Sequence, residues 1–243
     1  IALLHSPLKD VIVTGTHTVE ENTATTTCNT VEIDTKCNSL HADCHSLLNS
    51  PLNENQANIL ARIAALPEDS FLLVHGMPGT GKTTTIARTV EYLVKHQQQR
   101  VLLAGFTHVA LDAILLKLSN SSSTPIRMLR LGGGLDKVHP ALHQFCLTSE
   151  DFTGDIERCV ARFQQTQVVG CTVLGGLLHP YMQTCPPFDV CIVDEASQIL
   201  LPLCLGPVLH ASRFVLVGDP HQLPPITVAQ ENRTLTLFDW LSE

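Results

Sequence analysis

An α/β fold, a mostly parallel sheet with helices on both faces, is predicted by three features of this 243-residue chain. Four short runs are apolar nearly throughout: Phe71-Leu72-Leu73-Val74, Val101-Leu102-Leu103-Ala104, Val190-Cys191-Ile192-Val193 and Phe214-Val215-Leu216-Val217. Strands of that kind are buried on both faces. Helical apolar spacing precedes the first of them, at Ile59, Leu60, Ile63 and Ala64, and follows the second, at Val109, Ala113, Ile114 and Leu118. A glycine-rich turn joins the first run to a helix, and such alternation is the mark of a parallel sheet.

The elements follow in order. Asn53 is placed to cap the first helix, which Pro67-Glu68-Asp69 closes. The second helix runs over about 82–96, and Thr107 caps the third. Residues 119–124 form a polar linker, and 126–131 and 167–171 are further strands. Residues 51–243 make the nucleotide-binding domain. Residues 1–50 read as a separate N-terminal segment, partly β or loop, with a strand at Val11-Ile12-Val13 and a Thr- and Asn-rich stretch over 20–35. The chain opens on Ile1 and is expected to be a piece of something longer.

Composition narrows the class. Hydrophobic residues at 44% and charged residues at 16% suit a globular core. Aromatic residues are only 5%, so that core is built from Leu, Val, Ile and Ala. A net charge of −8 argues mildly against nucleic-acid binding, although a local basic groove survives on an acidic chain. Nine cysteines without a CxxC pair fit reduced thiols better than a disulfide framework. Cys37, His41, Cys44 and His45 form the richest metal-ligand cluster, without the pair-plus-pair spacing of a zinc site. The most apolar stretch, 199–217, is broken by Pro202, Pro207, His210 and Arg213. A membrane span wants roughly 20 uninterrupted apolar residues, so no membrane partner is expected.

Chemistry concentrates in two places. Gly76-Met77-Pro78-Gly79-Thr80-Gly81-Lys82-Thr83 fits GxxxxGK[ST] completely, after a strand and before a helix. Glycines let backbone N–H groups converge on phosphate oxygens, and the helix N-terminus adds partial positive charge. Gly76, Pro78, Gly79, Thr80, Gly81, Lys82, Thr83 and Thr84 are therefore expected to bind ATP. Lys82 reaches the β- and γ-phosphates, and Thr83 ligates Mg²⁺. Downstream, Val190-Cys191-Ile192-Val193 delivers Asp194-Glu195-Ala196-Ser197 to the carboxyl edge of the sheet. Asp194 is expected to hold Mg²⁺ and Glu195 to deprotonate the attacking water. A third strand end releases Gly218-Asp219-Pro220-His221-Gln222-Leu223-Pro224-Pro225, by spacing alone a proline-rich turn.

Other features have plain readings. His139, His143, His179 and His210 read as ordinary packed or surface histidines. Gly132-Gly133-Gly134 lacks a following Lys-Thr and reads as a flexible turn. Lys117, Arg127 and Arg130 are either solvated charges or the wall of a nucleic-acid groove.

Taken in order, these segments resemble superfamily-one helicases with a Upf-one-like motor. Leu52-Asn53-Glu54-Asn55-Gln56 is similar to the adenine-reading Q motif, and residues 76–83 to motif I. Phe106-Thr107-His108-Val109-Ala110-Leu111-Asp112 is similar to motif Ia, Asp194-Glu195-Ala196-Ser197 to motif II, and residues 218–225 to motif III. Arg130-Leu131-Gly132, Lys137-Val138-His139-Pro140-Ala141 and residues 188–206 narrow the resemblance to the eukaryotic DNA-replication ATP-dependent helicase/nucleases.

The resemblance implies a RecA-like domain, the first of two, in an ATP-driven DNA helicase of replication and repair. In this reading Gln56 reads adenine and Gln222 senses the γ-phosphate. Thr107, His108 and Thr172 touch single-stranded DNA. It further implies a nuclear protein, with the mitochondrion as a second compartment, joined in full length to a nuclease with a 4Fe-4S cluster. Three departures stand out. Residues 1–50 match nothing in the family, and Cys28, Cys37 and Cys44 do not reproduce cluster ligands. The second RecA-like domain, with its arginine fingers, is absent. Motif III reads Gly-Asp-Pro-His-Gln where His then Gln more often follows Gly-Asp. Two alternatives stay open: an RNA helicase of the same superfamily, and a non-catalytic ATP-dependent nucleic-acid binding module. A GTPase would need Asn-Lys-x-Asp and an ABC-type ATPase Ser-Gly-Gly, and neither is present.

Overall fold

The computed structural model describes residues 18–19, 26–28, 52–121, 125–147, 156–179, 182, 185–219, 221–225 and 236–242. Eight strands form one sheet: β1 (Thr18–Val19), β2 (Thr26–Cys28), β3 (Phe71–His75), β4 (Val101–Gly105), β5 (Met128–Leu131), β6 (Val168–Thr172), β7 (Phe188–Asp194) and β8 (Ala211–Gly218). Their order is β1-β2-β3-β8-β7-β4-β6-β5, and the six strands from β3 onward are parallel. Helices α1 (Glu54–Ala65), α2 (Lys82–His96), α3 (His108–Ser121), α4 (Ile156–Gln164), α5 (Val173–Leu177), α6 (Leu201–Val208) and α7 (Leu237–Ser242) surround it.

Strand alternation explains the two-sided burial. Successive side chains point to opposite faces. On β7, Val190 and Ile192 join one core cluster while Cys191 and Val193 join the other. Leu72 and Val74 on β3 and Val215 and Val217 on β8 belong to the first. Leu60, Val90, Leu93, Leu111 and Ile114 from α1, α2 and α3 cover that face. Phe71, Leu73, Phe214 and Leu216 belong to the second cluster, under Phe163, Val208, Phe238 and Leu241. The central runs of these strands are apolar on both sides because neither face meets water there.

Local boundaries have local causes. Asn53 caps α1 in a reciprocal capping box with Gln56, whose backbone N–H donates to Asn53 Oδ1 at 2.8 Å. Thr107 Oγ accepts the Ala110 N–H at 3.2 Å and opens α3. The expected strand over 126–131 begins at Met128, two residues late, since Pro125 and the chain entry leave only the Arg127 carbonyl to start the ladder, where Gln167 and Val168 donate to it. Part of the 1–50 segment joins the main sheet: β2 pairs antiparallel with the edge of β3, Thr26 opposite Val74. Val11-Ile12-Val13 and the Cys37, His41, Cys44 and His45 cluster lie outside the described residues. No helix among the described residues is long and apolar enough to cross a membrane.

Candidate nucleotide site and strand edge

Parallel strands place all their carboxyl ends on one edge, and here that edge gathers every segment singled out above. Residues 76–83 leave β3 beside β8, where the Gly76 N–H donates to the Gly218 carbonyl at 3.0 Å. Gly79 and Gly81 take φ of 78° and 83°, values that favour glycine. Gly81 opens α2 without a side-chain cap. A Cβ there would stand 2.7 Å from Gln56 Nε2. Gly81→Ala is expected to cost about 1–2 kcal/mol from left-handed strain alone. It also displaces Gln56, so both melting temperature and nucleotide affinity should drop; unchanged affinity would separate Gln56 from the site.

Lys82 turns back onto its own loop, donating to the carbonyls of Gly76 at 2.6 Å and Met77 at 3.3 Å. Gln56 Nε2 donates to the Thr80 carbonyl at 3.3 Å. A cavity of about 180 Å³ lies between α1, the loop and α2, lined in part by Asn53, Gln56, Ile59, Thr80, Lys82 and Ile86. Pro78 sits exposed at the loop tip, while Thr83 and Thr84 are half-buried on the first turn of α2. Lys117 reaches Thr84 Oγ, so it belongs to the helix start and not to a strand groove.

Asp194 ends β7 and is 5% exposed. Burial pushes its carboxyl up to about 6, helped by the neighbouring Glu195 charge and opposed by the Glu195 N–H and by Lys82. Glu195 holds φ 58°, ψ 32°, a left-handed conformation that costs a non-glycine residue energy and gathers at functional sites. Its Oε2 is buried with no hydrogen-bond partner. Burial raises the Glu195 carboxyl, and Lys82 and a hydrogen bond from Thr107 pull it down. An orphaned carboxylate oxygen beside a buried carboxylate suits a metal-held phosphate and its water. Among the described residues no cluster of three or more His, Cys, Asp or Glu side chains exists for a metal. Mg²⁺ does not need one, because it takes one or two protein ligands and fills the rest with phosphate and water. The donor set Thr83 and Asp194 fits that pattern.

The third segment is tied to the second. Asp219 N–H donates to Ser197 Oγ at 3.1 Å. Gln222 Nε2 donates to Asp219 Oδ2 at 3.1 Å, and Gln198 Nε2 donates to Gln222 Oε1 at 3.3 Å. Gly218 is closely approached, with Ser197 N 2.9 Å from the position of a Cβ. Ser197 and Gln198 were not foreseen as partners of Gln222, since their contact joins residues far apart in sequence.

Asp194 gives a pH prediction with a definite sign. Its ordinary value is 3.8 and its folded value about 6. The folded state therefore holds a proton that the unfolded state releases. Support for folding is full below about 3.8 and is lost as pH rises through about 6, some 3 kcal/mol at most. In chelator, Asp194→Asn should gain stability relative to wild type between pH 5 and 7.5, read by thermal denaturation. A difference that does not move with pH would dispose of the buried-carboxylate argument.

The expected strand contacts share this edge. Gly105 at the end of β4 pairs with Asp194 on one side and Thr172 on the other. Thr107 and His108 follow Gly105 directly, so they stand between the carboxylates and β6. Thr172 departs from an open contact: it is 9% exposed and its Oγ accepts the Gly175 N–H at 3.1 Å as the cap of α5. Arg130 is 1% exposed and paired with Asp112, so it is neither a solvated charge nor a groove wall. A charge inside the Leu-Arg-Leu strand was the available signal, because buried arginines are rare unless paired. Gly132 and Gly133, both at positive φ, form a turn packed on Gly175 and His108. His139 caps a short helical turn and His143 bonds the carbonyls of Leu135 and Val138, as packed histidines do.

With this geometry in place, comparison with known proteins is decisive for the family. Residues 51–158 and 149–230 match the family described as AAA domain, well over half of the chain. The chain belongs to the AAA-domain family. Its AAA domain is 41% identical over 209 residues to the DNA replication ATP-dependent helicase/nuclease dna2 of Schizosaccharomyces pombe, covering 82% of this chain and 14% of that protein. It is 41% identical over 192 residues to DNA replication ATP-dependent helicase/nuclease DNA2 of Homo sapiens, covering 78% and 17%. The chain thus spans about a sixth of the length of these relatives. The UvsW helicase from bacteriophage T4 shares the fold at a TM-score of 0.50 and 12% identity, over 74% of this chain and 60% of that one. This AAA domain therefore shares the RecA-like fold of that protein.

Proposed function

We propose that this AAA domain is the first motor domain of an ATP-dependent DNA helicase or translocase, within a replication and repair helicase/nuclease of the nucleus, with the mitochondrion as a second compartment. The observation that carries it is the shared strand edge: residues 76–83, Asp194-Glu195 and Thr107-His108 leave the carboxyl ends of β3, β7 and β4, three of the four neighbouring strands β3-β8-β7-β4. Because β4 pairs with β7, Gly105 opposite Asp194, a nucleotide site and a single-strand site stand side by side. Nuclease activity and a 4Fe-4S cluster belong to the full-length family.

Each residue has a role in this reading. Residues 51–243 form the domain, with residues 1–50 an added segment whose strands extend the sheet. Gln56 reads adenine at the mouth of the α1 cavity. Gly76, Pro78, Gly79, Thr80 and Gly81 wrap the phosphates, and Lys82 leaves the Gly76 carbonyl for the β- and γ-phosphates. Thr83 and Asp194 hold Mg²⁺, with Thr84 beside them. Bound there, Mg²⁺ neutralises charge on the transferring phosphoryl group. Glu195 accepts the proton of the attacking water, and its raised affinity for protons suits that task. Gln222, held by Gln198 and Asp219, contacts the γ-phosphate. Thr107 and His108 contact the DNA backbone, while Thr172 shapes the same edge by capping α5.

A second RecA-like domain is the partner this site calls for. Arginine fingers supplied from elsewhere are worth about 10³–10⁵ in rate. These 243 residues alone should bind Mg-ATP yet release phosphate slowly. Joining them to the second domain should raise DNA-stimulated turnover by at least 10²-fold, followed by phosphate release with and without an oligonucleotide. Motor-speed turnover by the single domain would end the incomplete-site idea. Turnover without strand movement in the intact protein would favour a non-translocating module.

A further inference from the structure

Arg130 is a buried charge that the nucleotide site does not use. It is 1% exposed on β5, and its Nε donates to Asp112 Oδ1 on α3 at 2.9 Å. Its Nη1 donates to the carbonyls of Leu131 and Gly132. Its Nη2 lies 2.7 Å from His108 Nδ1. The other Asp112 oxygen accepts the His139 backbone N–H at 2.8 Å. One side chain thereby joins β5, α3, the glycine turn and the segment that follows it.

The chemistry of that contact leaves one arrangement. A guanidinium has only donors and keeps its charge. At 2.7 Å, His108 Nδ1 must be the acceptor and carries no hydrogen. A neutral imidazole bears one N–H, so it lies on Nε2. The groups facing the ring are Arg130 and Lys137, which oppose a positive imidazole, and Asp112 and Asp136, which favour one; with burial, the largest cause, the balance lowers its proton affinity below the ordinary 6.5. The glycine turn closes on the ring, since a Cβ at Gly133 would stand 2.7 Å from His108 Cε1. Among the described residues nothing bonds Nε2.

We propose that Arg130 is a positioning residue for strand binding: it fixes His108 as the neutral Nε2–H tautomer, a donor for one phosphate oxygen of bound single-stranded DNA. This rests on the reading of His108 as a strand contact. A donor of fixed tautomer marks the register of the backbone without adding charge, so the contact does not fade as pH rises from 6 to 8. An Arg130 that merely braced α3 against β5 would leave the tautomer free to vary.

The test uses the intact protein, oligo-dT anisotropy between pH 5.5 and 8, and imidazole ¹H–¹⁵N spectra. His108 is assigned by the signals lost in His108→Gln. Wild-type His108 should be neutral and protonated on Nε2 at pH 6. Arg130→Lys, which keeps the charge but not the fork of donors, should weaken oligonucleotide binding about five- to tenfold at pH 7.5. Part of that loss should return on acidification as the freed ring titrates, and the return should vanish in Arg130→Lys with His108→Gln. Nucleotide affinity should not change. An imidazolium or an Nδ1–H ring in the wild type at pH 6 overturns the proposal, as does Arg130→Lys with wild-type affinity and pH profile. Undiminished oligonucleotide binding by His108→Ala, which has no side-chain donor, with the tautomer as described, instead overturns the strand-contact reading beneath it. The spectra need no variant at position 130, so the tautomer is testable even where Arg130→Lys does not fold.

Discussion

Lys82→Ala should abolish ATP hydrolysis, lowering turnover by at least about 10²–10³-fold, with nucleotide affinity falling as well. The ammonium is the mobile charge in the loop. It lies 2.6 Å from the Gly76 carbonyl and also lowers the proton affinity of both Asp194 and Glu195. Removing it takes a counter-charge from the phosphates and leaves both carboxyls easier to protonate. The loop itself should survive, because Gly76 remains bonded to Gly218 and Thr80 to Met77. Calorimetric titration with ATP separates the two effects. Unaltered uptake by the variant would mean that the triphosphate does not sit over this loop, and the site assignment would fall.

The second large effect is expected at Glu195. Glu195→Gln keeps the length and the left-handed backbone at φ 58°, but cannot take a proton. Turnover should drop by about 10²–10⁴-fold, the usual worth of a positioned general base. ATP binding should hold or strengthen, since the buried Oε2 without a partner no longer brings a negative charge toward the phosphates. Stopped hydrolysis with bound nucleotide is the diagnostic pair, measured by phosphate release and by equilibrium binding. A variant that still moved along DNA like the wild type would remove the motor assignment. Glu195 shows why a left-handed backbone is invisible in sequence: Asp-Glu after four apolar residues reads as a strand end, and nothing in that pattern forces a positive φ. Glu195 opens the 3₁₀ turn Ala196–Gln198, which packs so closely on Gly218 that a Cβ there would stand 2.9 Å from Ser197 N.

Much of the fold was legible because its signals are local. The runs of β3, β4, β7 and β8 announce strands covered on both faces, and Asn53 and Thr107 announce the helix starts through their own side chains. Less of the site could be read so. Lys82, Thr83, Asp194 and Glu195 follow from spacing, whereas the partners that hold Gln222 come from two separate segments. Lys117 and Arg130 were ambiguous as sequence and are settled only by what stands across from them. The same holds for Thr172, whose hydroxyl is engaged by the turn that follows it.

By itself the sequence determined the glycine-rich turn between strand and helix, the order of strands and helices, and the acidic pair at a strand end, because each depends on neighbours within a few residues. Tertiary structure alone decided that β4 lays Gly105 beside Asp194, that Arg130 is buried between Asp112 and His108, and that β2 lines the edge of β3. Parallel pairing is the physical reason. It brings the ends of β4, β6 and β7 together at Gly105, Thr172 and Asp194, residues distant in the chain, and no periodicity along one segment records which other strand lies beside it.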